Sequence, residues 1–250
     1  MNIFKSCLTF SHSTPRVSLI TISNKITSFD DIKEQINSAF SQPNLKAVCL
    51  KINSPGGSPV QCHLIAEYIK SKKEEYQVPV ICFVEDKAAS GGYLVACAAS
   101  LIFVSRFGMV GSIGVTMTSF SVTKLLHMLG IESKVYTAGS RKGELNPLTP
   151  TTKDEEMHIR NLLGEVHQEF IQYVKDSRGD RLLLEESEEL FSGAVFGSLK
   201  AFQLGLVDGV YSVMEDMVGV LIGETKFKLV EIEIRKAGLK VYLNFFSKMG

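Results

Sequence analysis

Ser90 stands in the run Ala88-Ala89-Ser90-Gly91-Gly92-Tyr93-Leu94, a setting in which a serine can do acyl-transfer chemistry. The apolar run Val80–Val84 before it starts after Pro79, is rich in β-branched and aromatic residues, and reads as a buried strand. The small and apolar residues after it suit a tightly packed helix. A strand-to-helix junction can expose the hydroxyl and leave the next amide free to stabilise developing negative charge. The same residues also suit an ordinary turn, with Ser90 as helix N-cap and the glycines as bend residues. A second turn, Asn53-Ser54-Pro55-Gly56-Gly57-Ser58, follows another apolar run. Its glycines allow positive φ and close approach by a ligand backbone. An amide from this turn, opposite that of Gly91, would complete a two-donor oxyanion hole. Taken alone, the turn is equally a tight connection between a strand and a helix.

Ser90 needs a base. The five histidines, His12, His63, His127, His158 and His167, are poorly placed and read as surface or packing residues. A lysine can serve if desolvation lowers its pKa from about 10.4 towards neutrality, and Ser-Lys pairs are a known variant of triad logic. Spacing alone does not select one lysine among many.

The elements that must position these groups are legible as alternating patterns. Strands are expected at Val17–Ile22, Ala47–Ile52, Val80–Val84, Leu101–Val104 and Ser133–Tyr136. The stretch Gly108–Val115 reads as a bend followed by a strand. Helices are expected at Asp30–Phe40, around Leu64–Ile69, after Ser90, at Val122–Leu129 and over a long stretch from about Asp154 to Lys175. The last carries an apolar stripe of Ile159, Leu162, Leu163, Val166, Phe170 and Val174. Leu199–Leu204 ends at Gly205 as a glycine-capped helix would. Strands alternating with helices imply a largely parallel α/β fold. No linker divides the chain, so residues 1–16 read as an arm and 17–250 as one domain.

Of the 250 residues, 45% are hydrophobic, ample for a core, and 27 basic residues balance 27 acidic ones. Nothing in that balance argues for nucleic acid. Five cysteines, an odd number without metal-ligand spacing, point to a reducing compartment without disulfides, and no metal or cofactor is expected. The first ten residues do not form a signal peptide and no window reaches 18 apolar residues. A chain starting natively at Met1 is expected to be cytoplasmic, with at most peripheral membrane association.

Three motifs, in order, resemble the signal peptide peptidase A (protease IV) family of serine peptidases, which has the ClpP/crotonase-type fold of repeated ββα units. They are Asn53-Ser-Pro-Gly-Gly57, Ala89-Ser-Gly-Gly-Tyr93 and Gly111-Ser-Ile-Gly-Val115. The later Gly139-Ser-Arg-Lys-Gly-Glu-Leu-Asn-Pro147 resembles the family's lysine-bearing loop, and Leu204-Gly-Leu-Val-Asp208 its C-terminal signature. Similarity runs from about Val17 to Tyr211. The resemblance implies Ser90 as nucleophile, Lys142 as general base, Gly57 and Gly91 as oxyanion donors, and Ser112 as the hydroxyl that orients the lysine. It also implies a peptide substrate and a homo-oligomer whose sites are completed at subunit interfaces. Arg141 beside Lys142 reads as a solvated loop charge. The sequence departs from the pattern at Ala98-Ala99-Ser100, where the family usually has Ala-Ala-Asp, and it carries one set of motifs and no membrane anchor. A ClpP-like Ser-His-Asp site would want a histidine about twenty-five residues after the serine, near Val115, and none is there. A crotonase-type acyl-CoA enzyme would share the oxyanion design without needing Ser90. A non-catalytic assembly subunit would keep the fold alone.

Overall fold

Val17, Leu19, Ile20 and Ile22 are all buried, so the first strand is covered on both faces, as continuous apolar runs in parallel sheets usually are. The computed structural model describes residues 14–183, 187–235 and 238–247. Its strands are β1 (Arg16–Ser23), β2 (Leu45–Ser54), β3 (Val80–Ala89), β4 (Leu101–Ser105), β5 (Met109–Gly111), β6 (Val195–Gly197), β7 (Gly209–Tyr211), β8 (Lys226–Arg235) and β9 (Gly238–Ser247). Its α-helices are α1 (Asp30–Phe40), α2 (Pro59–Tyr76), α3 (Gly91–Ala96), α4 (Thr123–Met128), α5 (Lys153–Arg178), α6 (Ser187–Leu190), α7 (Ser198–Gln203) and α8 (Met214–Ile222). The strands form one sheet in the order β6-β5-β3-β2-β1-β8-β9, with β4 and β7 branching from β3. Pairing is parallel except for β5 with β6 and β8 with β9.

Side-chain alternation divides the core in two. Ile20, Leu50, Cys82 and Val84 face the layer of α1, α2, α3 and α5. Val17, Leu19, Cys49, Ile81, Phe83 and Phe103 face α8 through Met214, Met217 and Val218. Cys49, Cys62, Cys82 and Cys97 are buried and unpaired, and burial pushes the Cys49 thiol up to about 12.

β3 positions the site. Its first half pairs with β4, Ile81–Val84 against Leu101–Val104. Its second half pairs with β5, Lys87–Ala89 against Met109–Gly111. The strand therefore outruns the apolar run Val80–Val84 by five residues and delivers Ser90 where its two partners diverge.

Three expectations need correction. Ser133–Tyr136 is not a strand: it has no pairing partner, and Tyr136 is 90% exposed. In Gly108–Val115 the strand comes first, at β5, and the bend follows at Gly111 and Ser112, with φ of +111° and +52°. The apolar stripe of α5 is buried only in its C-terminal half, at Phe170 and Val174, while Leu162 is exposed. The proposed N-terminal arm lies outside the described residues up to residue 13, and Arg16 already belongs to β1.

Candidate active site

Ser90 occupies the N-cap position of α3 but does not cap it with its side chain. Its backbone is at φ 51°, ψ −125°, a region that L-residues adopt only when their surroundings hold them there. The hold is visible. The Ser90 N–H donates to the Gly111 carbonyl at 2.8 Å, and the Ser90 carbonyl accepts from Tyr93 at 2.9 Å and Leu94 at 3.1 Å. Tyr93 is in turn fully buried and donates its hydroxyl to the Leu206 carbonyl at 2.7 Å. The strained turn places Ser90 on the lining of a groove of about 900 Å³.

The Asn53–Ser58 turn packs directly against this junction. A Cβ built on Gly56, itself at φ +100°, would lie 2.8 Å from the Gly91 nitrogen. One on Gly91 would lie 3.3 Å from the Gly57 nitrogen and collide with Cys62 Sγ; one on Gly57 would overlap the Ile26 carbonyl. Glycine is thus required by close approach at these positions, and the Gly57 and Gly91 amides end up side by side. Neither has a hydrogen-bond acceptor among the described residues. Buried Ser54 fixes the turn by donating to the Asn24 carbonyl at 2.6 Å and accepting from the Gly56 N–H at 3.1 Å. Ile26 clamps it through Ile26 N–H to Gly56 O and Ser58 N–H to Ile26 O, both 2.9 Å.

Ser90, Gly57, Gly91 and Ser112 all line the groove, together with apolar walls from Val60, Leu64, Leu94, Val166 and Phe170. The Ser112 N–H donates to the Ala194 carbonyl at 2.6 Å. Lys142 is not brought to the groove. It lies exposed in a series of turns between residues 138 and 149. That loop is fastened to the free end of α5: Arg141 contacts Glu144 at 2.7 Å and Asp154 at 3.2 Å, and His158 Nε2 lies 3.6 Å from Glu144. Val166, where α5 begins to line the groove, is twelve residues beyond Asp154, about 18 Å along the axis at 1.5 Å per residue. Arg141, read from the sequence as a solvated charge, is this fastening. A different lysine, Lys25, does line the groove, beside the Ile26 clamp.

Sequence reasoning missed three contributors. Ser54 reads as an ordinary strand-end serine. Arg178 is 1% exposed and forms a two-pronged pair with Asp208, both contacts at 2.9 Å, tying the end of α5 to β4 through Asp208 and Ile102. Its only signal was its place in the last turn of a long amphipathic helix. His167 donates to the Ile113 carbonyl at 3.0 Å; its signal was adjacency to Val166 on the edge of the apolar stripe.

A mostly parallel sheet flanked by helices is the ClpP/crotonase-type arrangement expected from the sequence, and it delivers Ser90 beside two amides that have no acceptor among the described residues. Comparison with known proteins makes the class specific. Residues 72–222 match peptidase family S49, and the chain belongs to that family. It is 38% identical over 206 residues to the Na(+)/H(+) antiporter NhaA of Brucella melitensis, covering 82% of this chain and 28% of that protein. It is 30% identical over 182 residues to the chloroplastic serine protease SPPA of Arabidopsis thaliana, covering 72% and 26%. The fold also matches the 1510-N membrane-bound stomatin-specific protease, solved as a lysine-to-alanine mutant with a substrate peptide. That match has a TM-score of 0.58 and 17% identity, covering 90% of this chain and 95% of that one. The chain thus spans under a third of the length of the two curated relatives. Among the described residues no helix is long and apolar enough to cross a membrane.

Proposed function

We propose that residues 17–250 act as one peptidase domain that hydrolyses peptides with a Ser-Lys pair. The reading rests on one observation: strained Ser90 and the free amides of Gly57 and Gly91 converge on one apolar groove. A peptide would lie extended against residues 114–116, whose backbone has no partner among the described residues, and pair with them as an added strand. The neutral amine of Lys142 takes the Ser90 proton as the oxygen attacks the scissile carbonyl. The resulting oxyanion accepts from Gly57 N–H and Gly91 N–H, and the Lys142 ammonium then protonates the leaving amine. Ser112 orients the lysine without adding charge. Water, activated by the same amine, releases the acyl group from Ser90.

Because Lys142 is held at the far end of α5, the lysine comes from a neighbouring copy in a homo-oligomer. The groove's apolar walls favour short apolar or unfolded peptides, signal-peptide remnants among them, in a cytoplasmic setting or at a membrane surface. The solved relative bound to a substrate peptide supports a peptide ligand.

A fluorophosphonate probe tests the reading, with turnover of an apolar peptide measured alongside. Labelling should map to Ser90 and vanish in Ser90→Ala. Turnover should fall on the order of a thousandfold or more in both Ser90→Ala and Lys142→Met. A folded, assembled protein that neither labels nor cleaves would instead be an assembly subunit. Undiminished turnover in Lys142→Met, with loss in Lys25→Met, would move the base to the lysine that lines the groove.

A further inference from the structure

The groove wall beyond Ser112 is a run of chain with few fastenings. Gly111 and Ser112 take successive positive φ values, and the chain then passes through buried Ile113 to Gly114, Val115 and Thr116. Ser112, Gly114, Val115 and Thr116 line the groove and belong to no helix or strand. Upstream the run is secured twice, by Ser90 N–H on the Gly111 carbonyl and by Ser112 N–H on the Ala194 carbonyl. Downstream, among the described residues, the next backbone bond is Val122 N–H to the Pro147 carbonyl. Between those points, among the described residues, one side-chain hydrogen bond to the wall's backbone adds to the packing of buried Ile113: His167 of α5, with Nε2 3.0 Å from the Ile113 carbonyl oxygen. A carbonyl only accepts, so Nε2 carries the hydrogen. On the opposite side the wall abuts Gly193, whose Cα would lie 3.1 Å from a Cβ on Gly114.

We propose that His167 is a positioning residue for the substrate-binding wall, holding residues 113–116 in place for a peptide to pair with. The proposal rests on the peptidase reading above. His167 never touches the reacting atoms. Without its bond, the Ile113 carbonyl and the residues after it lose their hydrogen bond to α5, while the Ile113 side chain stays packed in the core and Ser112 keeps its own bond to Ala194. Peptide binding therefore suffers and the chemical centre does not. That separates His167 from Ser112, whose loss should act on kcat.

The test uses His167→Phe, which fills the space without donating, and His167→Gln, which offers a side-chain N–H at similar reach. In His167→Phe, KM for an apolar peptide should rise about tenfold, the equivalent of one lost hydrogen bond. kcat and the rate of Ser90 labelling by a small fluorophosphonate should stay within about twofold. His167→Gln should restore KM. Hydrogen–deuterium exchange over residues 108–118 should quicken in His167→Phe and not in His167→Gln. An unchanged KM in His167→Phe overturns the proposal, as does an equal loss in both variants. If the wild-type protein neither labels nor cleaves, the peptidase reading fails. Exchange then decides the positioning role by itself, and unaltered exchange in His167→Phe overturns it.

Discussion

At Gly57 and Gly91 an added methyl meets different obstacles. Beside Gly57 it meets the Ile26 carbonyl, part of the clamp that holds the turn, and backbone cannot step aside. Gly57→Ala should therefore tilt the amide away and cost about 10²–10³ in kcat, the usual loss of one oxyanion donor. Beside Gly91 the obstacle is the Cys62 thiol, a side chain; without it the nearest atom is Cys62 Cβ at 3.2 Å. Gly91→Ala should be as damaging alone, yet be partly rescued by Cys62→Ala, whereas Gly57→Ala should not be. Steady-state kinetics on the three singles and two doubles measure the coupling; equal rescue of both glycine variants would refute the assignment of the clashes. The pattern of glycines around Ser90 was legible in the sequence, because close backbone approach leaves glycine as the residue that fits. The partners that enforce it were not. Ile26, Cys62 and Ser54 belong to other segments, and nothing in their local pattern marks them as neighbours of a serine at position 90.

Among the elements, α5 does two jobs, and its C-terminal end is locked by charge. Burial works against the Asp208 carboxylate, but hydrogen bonds from Arg178 and the Ile102 N–H, with the charges of Arg178 and Arg181, outweigh it and hold its pKa below the usual value. Arg178 shows the matching rise: burial opposes its charge, and Asp208 more than compensates. A carboxyl whose folded pKa lies below its unfolded value of about 3.9 stabilises the fold above that value, and the contribution fades as pH drops through the folded pKa. Asp208→Asn should cost about 3–5 kcal/mol near neutral pH, because it strands a buried guanidinium. It should also flatten the loss of stability below about pH 4. Denaturant midpoints at pH 7 and pH 3.5 test both, and an unflattened acid limb would show that the pair does not govern it. Periodicity located the helix, and α1 was legible to its bounds, since local apolar spacing determines both. The strand expected at Ser133–Tyr136 failed because a strand is made by its neighbour, and this segment has none among the described residues. The half-exposed stripe of α5 has the same origin: the spacing marks a face as apolar without saying what covers it.

For the molecule as a whole, the sequence between the groove wall and the lysine-bearing loop carries several exposed apolar side chains. Phe120, Met128 and Tyr136 are 77%, 82% and 90% exposed, and Met157 and Leu162 are exposed on α5. In the proposed homo-oligomer, a second copy covers apolar surface of this kind and its Lys142 serves the Ser90 of its neighbour. Mixing inactive Ser90→Ala with inactive Lys142→Met should then restore part of the activity, since some interfaces pair an intact serine with an intact lysine. Mixed assemblies that stay inactive would place both groups in one chain. The fastening of the lysine-bearing loop to the far end of α5 has a further outcome in how the enzyme responds to its own abundance. If, as proposed, the base is supplied by a neighbouring copy, a chain by itself is inert. Turnover per chain should fall on dilution through the dissociation constant of the assembly and recover on concentration. In a cell, sparse copies would stay silent without any inhibitor, and a modest rise in expression would release proteolysis more steeply than in proportion.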